Sequence, residues 1–340
     1  MKRAYSFDDV LLKPKYSDLT SRTQVDLSSK LTKNITLSLP VISSPMDTVT
    51  ESSMAMAMDQ RGALGIIHRY NTIKEQVALV HTAKSAGAKN VGAAIGVTGD
   101  YLDRATALYD AGAKIICVDI AHGHHVMMRR SLYELRDIFA SSVHIMAGNV
   151  ATLEAFEDLV IWGADSIRVG IGGGSICSTR LVTGHGVPTL QSILDVSKTT
   201  SDVKIIADGG IKTTGDMIKA IAAGADFVMV GSMLAGTDET PGEVLCDANT
   251  EKYKVYRGMA SSAAQRSWRG RSSTPEGISA TVPYRGVVSD ILKDIDGGLR
   301  SGLSYTGAKT ISEFQVKAEF LHQTPGGLAE SNTHILRRHK

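Results

Sequence analysis

Cysteine is scarce in this sequence: Cys117, Cys177 and Cys246 are the three, and none stands in a C-x-x-C spacing. An odd, unspaced set argues against a disulfide framework and a structural zinc ribbon and fits a reducing, cytoplasmic setting. An excess of one charge is missing too. Thirty-seven Lys and Arg face 35 Asp and Glu, a net +2, so no whole-chain field gathers nucleic acid or an anionic membrane. Any anion must be held by a local site. No apolar run nears the roughly 20 residues that span a bilayer. The opening MKRAYSFDDVLLKP has no apolar stretch of the kind a signal peptide needs. Proline is rare at 8, whereas glycine reaches 33 without a collagen period, an excess that asks for tight turns or close backbone approach.

What is present is a repeated unit. Eight short apolar runs occur at 39–45, 63–69, 91–96, 114–120, 143–150, 166–172, 204–210 and 227–233. Their apolar character is nearly continuous, as in strands of a parallel sheet buried on both faces. Amphipathic helical stretches separate them, and four end in Ala-Gly-Ala or Trp-Gly-Ala just before the next run. Glycine there suits the left-handed position that closes a helix. Thr152 and Thr213 or Thr214 are candidate N-caps. Eight alternations predict a single α/β domain over 1–340, a (β/α)8 TIM barrel, with a doubly wound sheet as the alternative.

Two segments break the rhythm. Strand starts are 23 to 29 residues apart except between the sixth and seventh runs, where 38 intervene. The surplus, GGGSICSTRLVTGHGVP, is a loop at a strand's carboxyl end, where barrel enzymes place their chemistry. After the eighth run, residues 237–290 are poorly patterned and suggest a mobile flap, centred on about 258–282. Residues 296–321 then supply the closing turn and last helix.

Candidate chemistry gathers at the strand ends. Cys177 lies in a polar loop beside Ser178, Thr179 and Arg180 and is the candidate nucleophile; Cys117, inside an apolar run, and Cys246 have the character of inert thiols. Gly172–Ser175, Asp208-Gly209-Gly210 and Gly231-Ser232 end three consecutive strands with bare backbone and hydroxyls able to wrap a phosphate. Asp208 among them would accept from a ribose. Asp119 ends the fourth run. His122, His124 and His125 lack a recognisable metal-ligand spacing.

The motifs SFDDVLLKP, SSPMDTVTE, GIIHRY, VGAAIGV, VDIAHGH, MAGNVAT, VGIGGGSICSTR, IADGGIK, GSMLAGTDETPGE, YRGM and PEG, in this order, resemble the family of IMP dehydrogenase and GMP reductase over nearly the whole chain. The resemblance implies a purine-nucleotide oxidoreductase, usually a homotetramer, that uses a nicotinamide cofactor and a covalent bond from cysteine to purine C2. By that resemblance Cys177 is the nucleophile. Ser44, Ser175, Gly210, Gly231, Ser232 and Tyr256 hold the 5′-phosphate, and Asp208 holds the ribose. Met46, Gly258 and Met259 face the base, Asp119 and Gly172 lie by the cofactor, and Thr179 and Glu276 handle protons. The carbonyls of Gly172, Gly174 and Cys177 match ligands of a monovalent cation, K+, in the dehydrogenases. Gly173 stands where the family usually has Pro.

The direction of chemistry turns on the flap. Dehydrogenases typically carry Arg-Tyr there to activate water; this flap has Arg271-Ser272 at the nearest place and is shorter. The CBS modules that most dehydrogenases insert are absent, although the barrel motifs themselves are dehydrogenase-like. The expectation is an NADPH-dependent GMP reductase acting on GMP to give IMP, with NAD-dependent IMP dehydrogenase as the alternative and a non-catalytic nucleotide-binding barrel as the lesser one.

Overall fold

The computed structural model describes residues 3–331. Eight strands, each inside one of the eight apolar runs, form a closed barrel: β1 (Val41–Ser43), β2 (Leu64–Ile67), β3 (Gly92–Ile95), β4 (Ile115–Asp119), β5 (His144–Val150), β6 (Ser166–Val169), β7 (Lys204–Asp208) and β8 (Phe227–Val230). Each pairs in parallel with its sequence neighbour, and β8 returns to β1 with Val228 opposite Val41. Closure rules out the doubly wound arrangement and leaves a (β/α)8 barrel.

Alternating residues fill the interior: Ile42, Leu64, Ile66, Met146, Ile206 and Phe227 are buried there. Leu31, Ile35 and Leu37, from a hairpin ahead of β1, join the same cluster. The opposite strand faces pack on helices α1 (Ser52–Gln60), α2 (Ile73–Ser85), α3 (Tyr101–Asp110), α4 (Val126–Phe139), α5 (Leu153–Ile161), α7 (Thr189–Val196) and α8 (Thr214–Ala222), whereas the short α6 (Thr179–Thr183) lies in the loop after β6 and buries none of its residues. The caps act as expected. Thr152 and Thr213 accept the backbone N–H of Ala155 and Asp216. Glycines of the repeated closing signature have left-handed backbone, with φ +96° at Gly87 and +104° at Gly163.

Beyond β8 the structure departs from the sequence expectation. The flap is framed by an antiparallel ribbon of β9 (Lys252–Arg257) and β10 (Ser279–Pro283), with helix α9 (Ser262–Arg269) between them. A short strand at Leu245–Cys246 pairs with β9 as well, so the ordered base of the flap starts at 245. Alternation in β9 was concealed because one inward residue is Lys254, buried with its ammonium donating to the carbonyls of Thr237 (3.1 Å) and Thr240 (2.5 Å). The last barrel helix, α10 (Val288–Ser304), begins earlier than expected. Val288, Leu292, Ile295, Leu299 and Leu303 form its buried stripe, but Gly297-Gly298 weakens the helical signal. Gly298 permits a close crossing, because a Cβ there would lie 2.9 Å from the Thr214 side chain of α8. A strand at Val10–Leu12 pairs antiparallel with Phe320–His322, a contact between distant segments that local pattern did not indicate. Among the described residues no helix is long and apolar enough to cross a membrane.

Candidate active site

The loop after β6 carries Cys177, half-buried, whose thiol donates to the Thr179 hydroxyl at 3.2 Å. The far side of the flap closes on this loop as a short antiparallel bridge, Cys177 opposite Gly277. Two backbone bonds make it: Ser178 N–H to the Glu276 carbonyl at 2.9 Å, and Ile278 N–H to the Ile176 carbonyl at 3.0 Å. Folding of the flap thus brings Glu276 to the cysteine, nearly a hundred residues along the chain. Cys177, Thr179 and Glu276 line one cavity of about 390 Å³, together with Asp119, Gly172, Gly174, Gly258 and Met259. That is within the range of small-ligand sites.

A second cavity of about 300 Å³ adjoins it, and the two share Ser44, Met46, Ser175, Asp208 and Tyr256. Gly210, Gly231 and Ser232 lie on the second alone. The Ser44 hydroxyl is buried with no hydrogen-bond partner, an expensive state unless something arrives to fill it. Tyr256 stands 3.5 Å from Ser175 Oγ. Burial raises its phenol above the ordinary value in spite of the Ser175 hydrogen bond, so it stays a donor at neutral pH. Glycine is required at 231: a Cβ there would sit 2.8 Å from Ser44 Oγ and 3.1 Å from both Met46 Sδ and Tyr256 Oη, inside the cradle itself.

Between the cavities Arg168 of β6 points inward and holds two carboxylates. Its guanidinium donates to Asp119 Oδ1 at 2.7 Å and to Asp208 Oδ2 at 3.0 and 3.1 Å. The Asn149 side-chain amide donates a hydrogen bond to Asp208 Oδ2 at 2.9 Å, and Arg69 Nε donates to Asp119 Oδ2 at 3.4 Å. Burial pulls the Arg168 pKa down, but the groups around it outweigh burial and hold it well above the ordinary value. Burial likewise pushes Asp119 up, yet Arg168 and Arg69 outweigh it and its carboxyl ends lowered. Both carboxylates are therefore fixed in place at the mouth of the barrel.

A family model for the IMP dehydrogenase / GMP reductase domain matches residues 4–334. The chain belongs to the IMP dehydrogenase / GMP reductase family. It is 37% identical to an IMP dehydrogenase of Nitrosopumilus maritimus, over 98% of each chain. It is 34% identical to a GMP reductase of Leishmania major, over 97% of this chain and 96% of that one. Among solved structures, a GMP reductase variant from Trypanosoma brucei in complex with guanosine 5′-monophosphate superposes with a TM-score of 0.93 at 33% identity, covering 99% of both chains. Members of this family are nicotinamide-dependent oxidoreductases of GMP and IMP nucleotides.

Every residue singled out from sequence for this family's chemistry lies on one of the two cavities. Sequence reasoning passed over Arg168, Asn149 and Arg69. The signal for Arg168 was available, since a cation inside the apolar run SIRVGIG must find buried partners. Also missed was the clamp at the flap's base: Arg257 Nε and Nη2 donate to Asp47 Oδ2 at 3.0 and 2.6 Å. On the flap, Trp268 of α9 stacks on Tyr70 after β2, with ring centroids 6.1 Å apart. His124 pairs with Asp158 at 2.8 Å beside Trp162. Among the described residues no group of three His, Cys, Asp or Glu side chains is placed to hold a metal ion. The Gly174 carbonyl named for a cation already accepts the Cys177 N–H at 3.1 Å.

Proposed function

We propose that this protein is an NADPH-dependent GMP reductase, with Cys177 as its nucleophile. The observation that carries the reading is the grouping of Cys177, Thr179 and Glu276. The thiol is hydrogen-bonded to Thr179, and Glu276 is tied by its backbone to the same loop, on a flap that has no Arg-Tyr pair between Gly258 and Glu276. Such a site supplies protons to a leaving group more readily than it activates water. The Trypanosoma brucei relative, which is named a GMP reductase and was captured with GMP, agrees with it.

In this reading the cradle of Ser44, Ser175, Gly210, Gly231, Ser232 and Tyr256 holds the 5′-phosphate, and Asp208, fixed by Arg168, accepts from the ribose hydroxyls. Met46, Gly258 and Met259 set the base over Cys177. The Cys177 sulfur bonds to purine C2, and the bond from C2 to its exocyclic nitrogen breaks. Thr179 and Glu276 deliver the proton with which that nitrogen leaves as ammonia. NADPH, when bound, supplies a hydride to C2. The electron pair of the carbon–sulfur bond then returns to Cys177, and IMP departs. The Cys177 cavity is suited to hold the nicotinamide, since the anchored Asp119 carboxylate can accept from its ribose and Gly172 leaves backbone open beside it. Exposed Leu181 and Ile278 beside the Cys loop and flap suit burial between subunits of a homotetramer.

The second reading, IMP dehydrogenase, draws on relatives so named at 37% and 39% identity. Absorbance of the reduced cofactor separates the two. The protein should oxidise NADPH in the presence of GMP and form IMP and ammonia. Formation of XMP from IMP and NAD at ordinary enzymatic rates would overturn the proposal. Glu276→Gln should lower the deamination rate by about a hundredfold or more while GMP affinity changes only a few-fold. Turnover unchanged in Cys177→Ala would remove Cys177 as the nucleophile, and nucleotide binding by the wild type without turnover in either assay would favour a non-catalytic barrel.

A further inference from the structure

Thr189, the first residue of α7, was singled out by nothing in the sequence. It is 4% exposed and lines the phosphate-side cavity, and its hydroxyl has no hydrogen-bond partner. Among the described residues only six buried side-chain polar atoms share that condition, and two of them, Ser44 Oγ and Thr189 Oγ1, belong to residues lining this one cavity. The other four, in Asp47, Asn71, Ser131 and Ser192, lie elsewhere.

The position of the hydroxyl is set by three glycines. Built Cβ atoms at Gly173, Gly170 and Gly210 would lie 2.7, 3.3 and 3.7 Å from Thr189 Oγ1. It therefore stands between the loops that follow β6 and β7, whose bare backbone forms the phosphate cradle. A Cβ at Gly173 could be accommodated only if the Thr189 hydroxyl shifted. The small residue and the threonine fit each other. An unpartnered buried hydroxyl is costly, and an arriving anion removes that cost by accepting from it. The N-terminal end of α7 adds its partial positive charge on the same side.

We infer that Thr189 is an additional phosphate-binding residue, donating its hydroxyl to the 5′-phosphate of the purine nucleotide. The inference rests on the nucleotide reading of the site and extends it by one residue. Calorimetric titration with GMP and with guanosine tests it. Thr189→Val keeps the volume and removes the donor; GMP affinity should fall about tenfold, with guanosine affinity unchanged. Thr189→Ser should bind GMP within about twofold of the wild type. A Val variant that binds GMP normally overturns the inference, as does one that loses GMP and guanosine alike, which marks a packing role. If the Val variant fails to fold, Thr189→Ala is read by the same two titrations. Wild-type protein that binds neither GMP nor IMP would bring down the nucleotide reading itself, an outcome distinct from a failure of Thr189 alone.

Discussion

Cys117 lies inside the barrel within 3.4 Å of the Arg168 guanidinium, and burial pushes its thiol up to about 11 even with that cation beside it. At neutral pH it is protonated and shielded, so it neither attacks nor is attacked. Cys246, expected from sequence to be as inert as Cys117, is instead exposed at the flap's outer edge because it lies on the outermost strand there, and Cys177 faces the cavity. Alkylation of the native protein with iodoacetamide at pH 8 should therefore label Cys177 and Cys246 and spare Cys117. Saturating GMP should protect Cys177 while leaving Cys246 reactive. Peptide mass mapping checks both statements. Labelling of Cys117 at the rate of Cys246 would contradict the burial argument, and labelling of Cys177 unaffected by GMP would remove the base from that cavity.

At the scale of elements, the flap is joined to the barrel at distinct points: the Cys177–Gly277 bridge, the Trp268–Tyr70 stack and the Arg257–Asp47 pair. The last sits at the carboxyl end of β9 and orients the backbone that leads to Gly258 and Met259. The Asp47 side chain is 8% exposed, so removing its partner leaves a nearly buried charge unpaired. Arg257→Leu should cost about 2 kcal/mol of local stability. Because the flap holds Arg266 and Arg271, limited trypsin digestion reports the loss. The variant should be nicked at those arginines several-fold faster than the wild type, with barrel helicity by circular dichroism unchanged. Equal nicking rates would show that the stack and the bridge hold the flap without the pair.

For the whole molecule, the near balance of charge leaves pH sensitivity to individual buried groups. His144 opens β5 and bonds Ser166 at 2.8 Å, on the opposite end of the strands from the cavities. Burial depresses its pKa to about 4, outweighing the nearby Asp165. Because the folded value is the lower one, the unfolded chain takes up a proton first as pH falls. This contribution is intact above about pH 6.5, declines between about 6.5 and 4, and is flat below; the decline amounts to about 3 kcal/mol. Asp119, lowered by its arginines, adds a further loss at still lower pH, as it is protonated. The melting temperature should thus drop between pH 7 and 4.5, and His144→Gln should drop less over the same interval. Identical drops in calorimetry would place the acid sensitivity elsewhere.

Much of this was legible beforehand because it is local. Strand and helix periods, the closing glycines and the Thr caps depend on neighbours a few residues apart, so eight runs pointed to a barrel, which closure then separated from a doubly wound sheet, and the surplus after the sixth pointed to the Cys177 loop. The cradle followed, since every barrel strand ends on the same face. Arg168 illustrates what could not be read: its partners Asp119 and Asp208 lie 49 and 40 residues away and are joined to it only by the register of β4, β6 and β7. Asp47 with Arg257, 210 residues apart, and Val10–Leu12 with Phe320–His322 are of the same kind. Thr189 is the sharpest case. Nothing marks one threonine at a helix start until the chain's closure leaves its hydroxyl buried, unpartnered and beside two loops of bare backbone. The sequence by itself determined the eight strand–helix alternations and singled out Cys177 and the strand-end loops as candidates, because these rest on pattern and residue type. The tertiary structure alone decided which charges and hydroxyls meet, because that depends on distance in space between groups the chain keeps far apart.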